Sequence, residues 1–180
     1  EDLVLDISNP SNAAIGPNGS ATGTIFDEDQ ADNNVDNPNN PDDPNDPVDG
    51  DKPVVGIVAT KPEAVEGEVG NNALKFTVSQ NNQSNFDTTV DVKLNTANSD
   101  INAADIDSIV YTDVTGTEIT LTTRSKIQDF LDNGVSVKIE AGSTSAPVIT
   151  INVADDAIYE KSEDLVLDIS NPSNAAIGPN

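Results

Sequence analysis

The chain has 180 residues, of which 32 are acidic and 8 are basic, so its formal charge is −24. A surface this acidic argues against nucleic acid and anionic membrane as partners, because both are bound through lysine and arginine. Cysteine, histidine, methionine and tryptophan are all absent. Their absence excludes disulfides, typical zinc sites and nucleophiles paired with histidine, and we assign no catalytic residue.

Apolar residues make up 35% of the chain and aromatic residues only 3%. Any hydrophobic core is therefore small and consists mainly of aliphatic side chains. Self-repulsion at this charge density destabilises a compact state unless a counter-charge is bound, and a divalent cation is the simplest candidate. The sequence contains no apolar run long enough to span a membrane.

The chain contains an internal repeat, with one copy at each end of the sequence. Residues 1–18 read EDLVLDISNPSNAAIGPN, and residues 163–180 read the same, at an offset of 162 residues (163 minus 1). Identity over such a length indicates a tandem array with this period. Glu1 lies within a strand-like pattern, so we interpret residues 1–29 as the C-terminal strands of a preceding repeat.

Residues 30–52 have the composition of a linker. They are rich in Asp, Asn and Pro, with prolines at positions 38, 41, 44 and 47. Such a segment buries too little apolar surface to offset the entropy of ordering, and its proline spacing and like charges favour an extended spacer. An ordered linker lying on a neighbouring domain is the alternative.

Residues 53–180 alternate short strand patterns with turn residues. Period-2 alternation, as in Val90, Val92 and Leu94, predicts strands with one buried face. About seven or eight such strands are typical of an Ig-like antiparallel β-sandwich, which is the predicted fold. The predicted strands cover Val54–Ala59, Ala73–Ser79, Thr88–Asn95, Ile106–Thr112, Thr117–Thr122, Val135–Glu140, Ala146–Val153 and Leu165–Ser170.

One segment departs from strand periodicity. Ile127, Phe130 and Leu131 follow helical spacing, and Gly134 provides a C-terminal stop. The sequence therefore predicts a single short helix, Arg124–Asn133, inserted between strands.

Many carboxylates fall in loops at predicted strand ends. Alternate loops of a sandwich gather at the same end, and calcium binds six to eight hard oxygen ligands from flexible loops. Magnesium fits less well, because it requires a tighter octahedron. Each of these residues is alternatively an exposed turn charge. The candidates are Asp27, Glu28, Asp29, Glu66, Asp105, Asp107, Asp155, Asp156, Glu160, Glu163 and Asp164.

Several stretches resemble the Calx-β domain family, which occurs in sodium–calcium exchangers and, in tandem, in giant bacterial RTX-type adhesins. The most specific is Asp155-Asp156-x-x-x-Glu160-x-x-Glu163, followed by a strand ending in Asn171-Pro172. The inserted helix departs from the exchanger-type domain and is more similar to the longer adhesin repeats. The other matching stretches are Ala64–Gly67, Ala141–Ser143, Leu165–Pro172 and Gly23–Asp29.

The resemblance implies a calcium site at one end of the sandwich. The family usually has Gly-x-Asp-Tyr where this chain has Ala103-Ala104-Asp105-Ile106, so Asp105 is carried over on a weaker match. Asp27 and Asp29 would join the site in a complete domain. The other ligands that the resemblance implies are Glu66, Asp155, Asp156, Glu160 and Glu163.

The final strand of residues 53–180 is expected to be missing, because the segment after Asn18 has no second copy. Gly19–Asp29 would supply it in one of three ways. It completes the domain of another chain, it folds back on its own domain, or each such strand belongs to the repeat directly before it in a continuous array.

Repetition, acidity and the spacer favour a structural role. We expect a calcium-rigidified extender of a secreted cell-surface adhesin or extracellular fibre, contacting neighbouring repeats or identical chains head to tail. A module that binds glycan or protein through residues 111–134 is the alternative. A hydrolase using paired carboxylates is disfavoured, because few apolar and aromatic residues are available to build a pocket.

Overall fold

The computed structural model describes residues 2–24, 52–158 and 161–178. The chain divides into two compact units, Glu1–Asp51 and Lys52–Asn180. Within the described residues, no helix has the length and apolar content needed to cross a lipid bilayer.

The first unit contains a two-stranded antiparallel sheet. Strand β1 covers Asp2–Asp6 and strand β2 covers Ser20–Thr24, and the two pair along their full length. Beyond them, the amide N–H of Ile7 donates to the carbonyl oxygen of Gly19 at 2.9 Å. The side chain of Leu5 is 64% exposed. A two-stranded ribbon with exposed apolar side chains is at best marginally stable in water.

The described part of the second unit has nine strands and one helix. The large sheet has the order β11-β3-β4-β9-β6-β7 and the small sheet the order β10-β5-β8. All neighbours are antiparallel except β11 and β3. The strands are β3 (Val54–Lys61), β4 (Ala73–Gln80), β5 (Thr88–Leu94), β6 (Ile106–Thr112), β7 (Glu118–Leu121), β8 (Val135–Ile139), β9 (Ile149–Val153), β10 (Leu167–Ser170) and β11 (Ala176–Ile177).

One hydrophobic core takes alternate residues from both sheets. In β5, the centre of the small sheet, Val90, Val92 and Leu94 are buried between more exposed neighbours. Ile149 and Ile151 of β9 are buried in the same alternation from the large sheet. Each such side chain contributes about 1.5–3 kcal/mol when fully buried. The prediction of a mainly β, sandwich-like fold with a single short helix is therefore confirmed for the described residues.

The helix α1 has the predicted bounds, Arg124–Asn133. It ends at Gly134, whose φ is 73° and whose N–H donates to the carbonyl oxygen of Phe130 at 2.8 Å. A Cβ at Gly134 would lie 2.3 Å from the carbonyl oxygen of Val92. The glycine therefore both ends the helix and lets it approach β5. The buried helix residues are Ile127, Phe130 and Leu131.

Four differences from the predicted strands are larger than one residue at a strand end. Strand β9 begins at Ile149 and not at Ala146, since Pro147 has no N–H for a continuous ladder. Strand β3 continues to Lys61 through an irregularity in its pairing with β4. Strand β10 begins at Leu167, two residues later than predicted. Strand β11 was not predicted, because a two-residue strand leaves no alternation to detect.

Asp91 connects the three strands of the small sheet. It lies on β5, and its carboxylate accepts hydrogen bonds from the hydroxyl of Ser136 on β8 and, at 2.9 Å, from the side-chain amide of Asn171 after β10. The Ser136 bond first, and then the Asn171 bond, hold the pKa of Asp91 below its ordinary value. A pKa lowered by folding means that the charged form stabilises the fold above the unfolded pKa, and that this contribution is lost as pH falls through the folded pKa.

We therefore expect Asp91→Ala to lower the free energy of unfolding by about 1 kcal/mol at neutral pH. The difference from the parent protein shrinks as pH falls below the ordinary carboxyl pKa of 3.8, because the parent carboxylate then becomes protonated. Urea denaturation across this pH range measures the effect. Glu118→Ala is the control, since it removes an exposed negative charge from β7. Identical behaviour of the two variants at every pH would contradict the assigned role of Asp91.

Candidate functional site

The candidate site is a cleft of about 770 Å³ where many strand ends meet. Strands β3 and β9 end beside it, and β4, β6 and β10 begin beside it, as expected for one end of an antiparallel sandwich. We call it the acidic cleft, after the five carboxylates in its lining. These are Glu63, Glu66, Asp105, Glu163 and Asp164.

Backbone hydrogen bonds fix the strand ends that border the acidic cleft. The N–H of Val153, the last residue of β9, donates to the carbonyl oxygen of Asn72 at 2.9 Å. The N–H of Ala154 donates to the carbonyl oxygen of Asp105 at 2.8 Å. The chain on either side of residue 154 is therefore held between the start of β4 and the start of β6.

The loop between β3 and β4 brings Glu66 towards Asp155. A hydrogen bond of 2.8 Å from the N–H of Val65 to the carbonyl oxygen of Asn71 closes this loop. Inside it, Gly67 has a φ of 64°, and a Cβ there would lie 2.9 Å from Oδ1 of Asp155. The carboxylate of Asp155 thus packs against the main chain of the residue that follows Glu66.

Asp105 is the one half-buried carboxylate among the five in the cleft lining. Its Oδ2 accepts a hydrogen bond of 2.6 Å from the N–H of Asn102. The side-chain oxygen of Asn102 in turn accepts a 2.7 Å bond from the N–H of Ala104. This compact turn orients the Asp105 carboxylate at the start of β6.

The structure brings together part of the predicted ligand set. Asp155 packs against Gly67, the residue after Glu66, but neither Asp155 nor Gly67 is part of the lining. Asp156 is exposed and lies outside the lining; its carboxylate accepts a 2.6 Å bond from the N–H of Ile158, as a turn residue does. The predicted ligands Glu160, Asp27 and Asp29 lie outside the described residues. Those that line the cleft are Glu66, Asp105 and Glu163.

Two lining carboxylates, Glu63 and Asp164, were not among the predicted ligands, although Asp164 belongs to the acidic cluster that the sequence analysis places before β10. Asp164 is fixed by a pair of hydrogen bonds to Asp100: its N–H donates to Oδ1 of Asp100 at 2.6 Å, and the N–H of Asp100 donates back to its carbonyl oxygen at 3.2 Å. The available sequence signal was proximity, since Asp164 directly follows Glu163 and Glu63 lies close before Glu66.

The acidic cleft has an excess of negative charge. Among the described residues of its lining, Lys161 is the one basic residue, against five carboxylates. Elsewhere, one lysine forms ion pairs with two carboxylates: Lys138 lies 3.2 Å from Asp87 and 3.0 Å from Glu140. There the N–H of Ala141 first, and then Lys138, lower the pKa of Asp87. The described lining of the acidic cleft contains five carboxylates and one lysine, and this excess of negative charge attracts cations.

The donor chemistry of the acidic cleft fits calcium, which prefers carboxylate oxygens supplied by loops. Among the described residues, however, no group of three or more carboxylates is placed so that it could hold a metal ion. The described part of the site is thus an open acidic cleft and not a complete ligand shell.

Comparisons with known proteins add no relative. No family model, no curated protein and no solved structure matches this chain.

The contact between Gly67 and Asp155 is directly testable. We expect Gly67→Ala and Gly70→Ala each to cost about 1 kcal/mol of stability, because both positions have positive φ. Only Gly67→Ala should displace the Asp155 carboxylate, since nothing lies within 4 Å of a Cβ at Gly70. The carboxyl carbon chemical shift of Asp155, measured by NMR, reports the displacement. If Gly67→Ala leaves that shift unchanged, the described packing is incorrect.

Proposed function

We propose that this chain is one repeat of a long secreted array that acts as a spacer at the cell surface, in an adhesin or an extracellular fibre. The observation that carries the proposal is the identity of residues 1–18 and 163–180. A period repeated without change is what an extended array of equivalent modules requires. The proposal assigns no catalytic role to any residue.

We further propose that the sandwich is of the Calx-β type and that the acidic cleft binds calcium. The support is the position of Glu66, Asp105 and Glu163, which come from three separate loops and line one cleft. Calcium bound there would offset the excess negative charge of the lining. Glu160, and the aspartates at 27 and 29, are the further donors that the resemblance suggests.

The expected consequence is a stiffer end of the domain. The acidic cleft is bordered by the ends of both sheets, so neutralising its carboxylates relieves repulsion between loops that otherwise push one another apart. Ligands that are assembled only in the native state make binding contribute to folding. A spacer of this design is stable where extracellular calcium is available.

The alternative role, a module that binds glycan or protein through residues 111–134, has less support. Tyr111 is partly buried, with its ring centroid 6.3 Å from that of Phe130. Burial, and then the charges of Asp113 and Asp129, raise the pKa of Tyr111. The aromatic residues of this insertion are engaged in packing α1, which leaves little aromatic surface for a ligand.

Calcium-dependent unfolding of the full chain tests the proposal. We expect calcium at 100 times its dissociation constant to stabilise the fold by about 2.7 kcal/mol. Magnesium should stabilise it less, and chelator should reverse the effect. Thermal unfolding followed by circular dichroism gives the measurement, with total ionic strength held constant.

Two variants separate specific binding from general screening. Glu66→Gln removes a carboxylate from the acidic cleft, whereas Glu118→Gln removes an equally exposed carboxylate from β7. Calcium should stabilise Glu66→Gln less than the parent, and Glu118→Gln as much as the parent. An unfolding temperature that does not change when calcium is added would refute the calcium site. An equal loss of calcium stabilisation in the two variants would also refute it.

A further inference from the structure

The two identical segments fold into the same turn. Asn9 and Asn12 have φ values of 51° and 58°, and their equivalents Asn171 and Asn174 have 50° and 54°. Positive φ is uncommon for residues other than glycine, although asparagine tolerates it better than most. Its recurrence at both equivalent positions indicates that the segment forms this turn wherever it occurs.

The surroundings of the two copies differ. Leu167 on β10 is 5% exposed, whereas its equivalent Leu5 on β1 is 64% exposed. The reason is that β10 pairs with β5 over the hydrophobic core, while β1 belongs to a two-stranded ribbon. The same strand thus has a packed face in one copy and a solvated face in the other.

The two copies also use opposite edges of the strand. In the second unit, the carbonyl oxygen of Val166 accepts a 2.8 Å hydrogen bond from the N–H of Asn95, which follows β5. Backbone groups of successive strand residues point to opposite edges, so Leu167 and Ile169 direct theirs away from β5. In the first unit, Ile7, the equivalent of Ile169, donates to Gly19. The edge that β1 offers to β2 is therefore the edge that β10 leaves open.

Strand β10 ends the small sheet within the described residues. Its open edge presents backbone groups without a strand partner, which is a template for strand addition. The edge is already held in place by β5 and by the core, so an added strand does not need to order its partner first.

We propose that this edge accepts the segment Ser20–Thr24 from a second copy of the repeat, converting the small sheet into four strands. Transferring the observed β1–β2 register by 162 residues places Ala21 of the second copy opposite Leu167 and Gly19 opposite Ile169. The inference rests on the proposed function only in treating the chain as one repeat of an array, and it does not require calcium.

The side chains of the added strand fit this position. Residues directly opposite each other in an antiparallel pair share a face of the sheet. Gly19, Ala21 and Gly23 would then lie on the core side with Leu167, where only small side chains are needed beside the existing core. The intervening positions, Ser20 and Thr22, would face solvent. This is the alternation expected of a half-buried edge strand.

The first test is the mass of the full chain in solution at physiological ionic strength. Analytical ultracentrifugation should show a weight-average mass that rises with concentration from the monomer value of 18.8 kDa to at least twice that value. Ala21→Pro should remain monomeric, because it removes the N–H that faces the strand partner. Thr22→Pro is the matched control and should still associate, since its N–H faces the other edge.

Hydrogen exchange locates the contact. The amides of Leu167 and Ile169 should be protected in the associated parent chain and exchange rapidly in Ala21→Pro. The amide of Asp168 faces β5 and should stay protected in both, which shows that the sandwich remains folded.

Both measurements are repeated with calcium and with chelator, and association is expected in each. A calcium-independent unfolding temperature together with persistent association would remove the calcium role and leave this inference standing. A chain that stays at 18.8 kDa at all concentrations overturns it, even with protected amides, because the strand then comes from the same chain. Association that Ala21→Pro does not reduce also overturns it.

Discussion

The fold depends on a small aliphatic core that must hold together a chain of charge −24. Both sheets contribute to that core, and β5 lies at the centre of the small one, with Val92 completely buried. Polar groups add links where apolar area is scarce, as Asp91 does between Ser136 and Asn171. Five carboxylates and one lysine line the acidic cleft, and β10 is the edge of the small sheet within the described residues. The proposed calcium site would offset the charge of the acidic cleft, and the proposed strand addition would cover the open edge of β10.

Elements with strong local signals could be predicted from sequence. Helix α1 was predicted with correct bounds because helical spacing and Gly134 agree, and the close approach to Val92 requires the same glycine. Strand β5 was predicted because its alternation is regular. Strand β11 was not, since its pairing with β3 depends on where the chain lies after β10 and not on its own pattern. The grouping of the strands into a six-stranded and a three-stranded sheet also depends on long-range packing.

The candidate site was predictable only in part, because it also depends on contacts between residues that lie far apart in sequence. Glu66 and Glu163 were found through motif resemblance, and both line the acidic cleft. Asp164 was recognised as a strand-end carboxylate but not assigned as a ligand, because its place depends on hydrogen bonds with Asp100, which lies far away in sequence. Asp156 shows the opposite case: its motif position suggests a ligand, whereas its hydrogen bond to Ile158 is that of a turn. Loop closure decides which carboxylates converge, and sequence spacing alone does not report it.

The central claim is that the acidic surface is organised to bind calcium and not merely solvated. Isothermal titration of the full chain with calcium, at constant physiological ionic strength, tests this claim most directly. The account predicts saturable binding with a defined stoichiometry, weakened by loss of the Glu66 carboxylate and not reproduced by magnesium at the same concentration. Titration heats that equal the heat of dilution, or that are the same for calcium and magnesium, would contradict this claim. The protein would then be an acidic spacer whose charge is solvated.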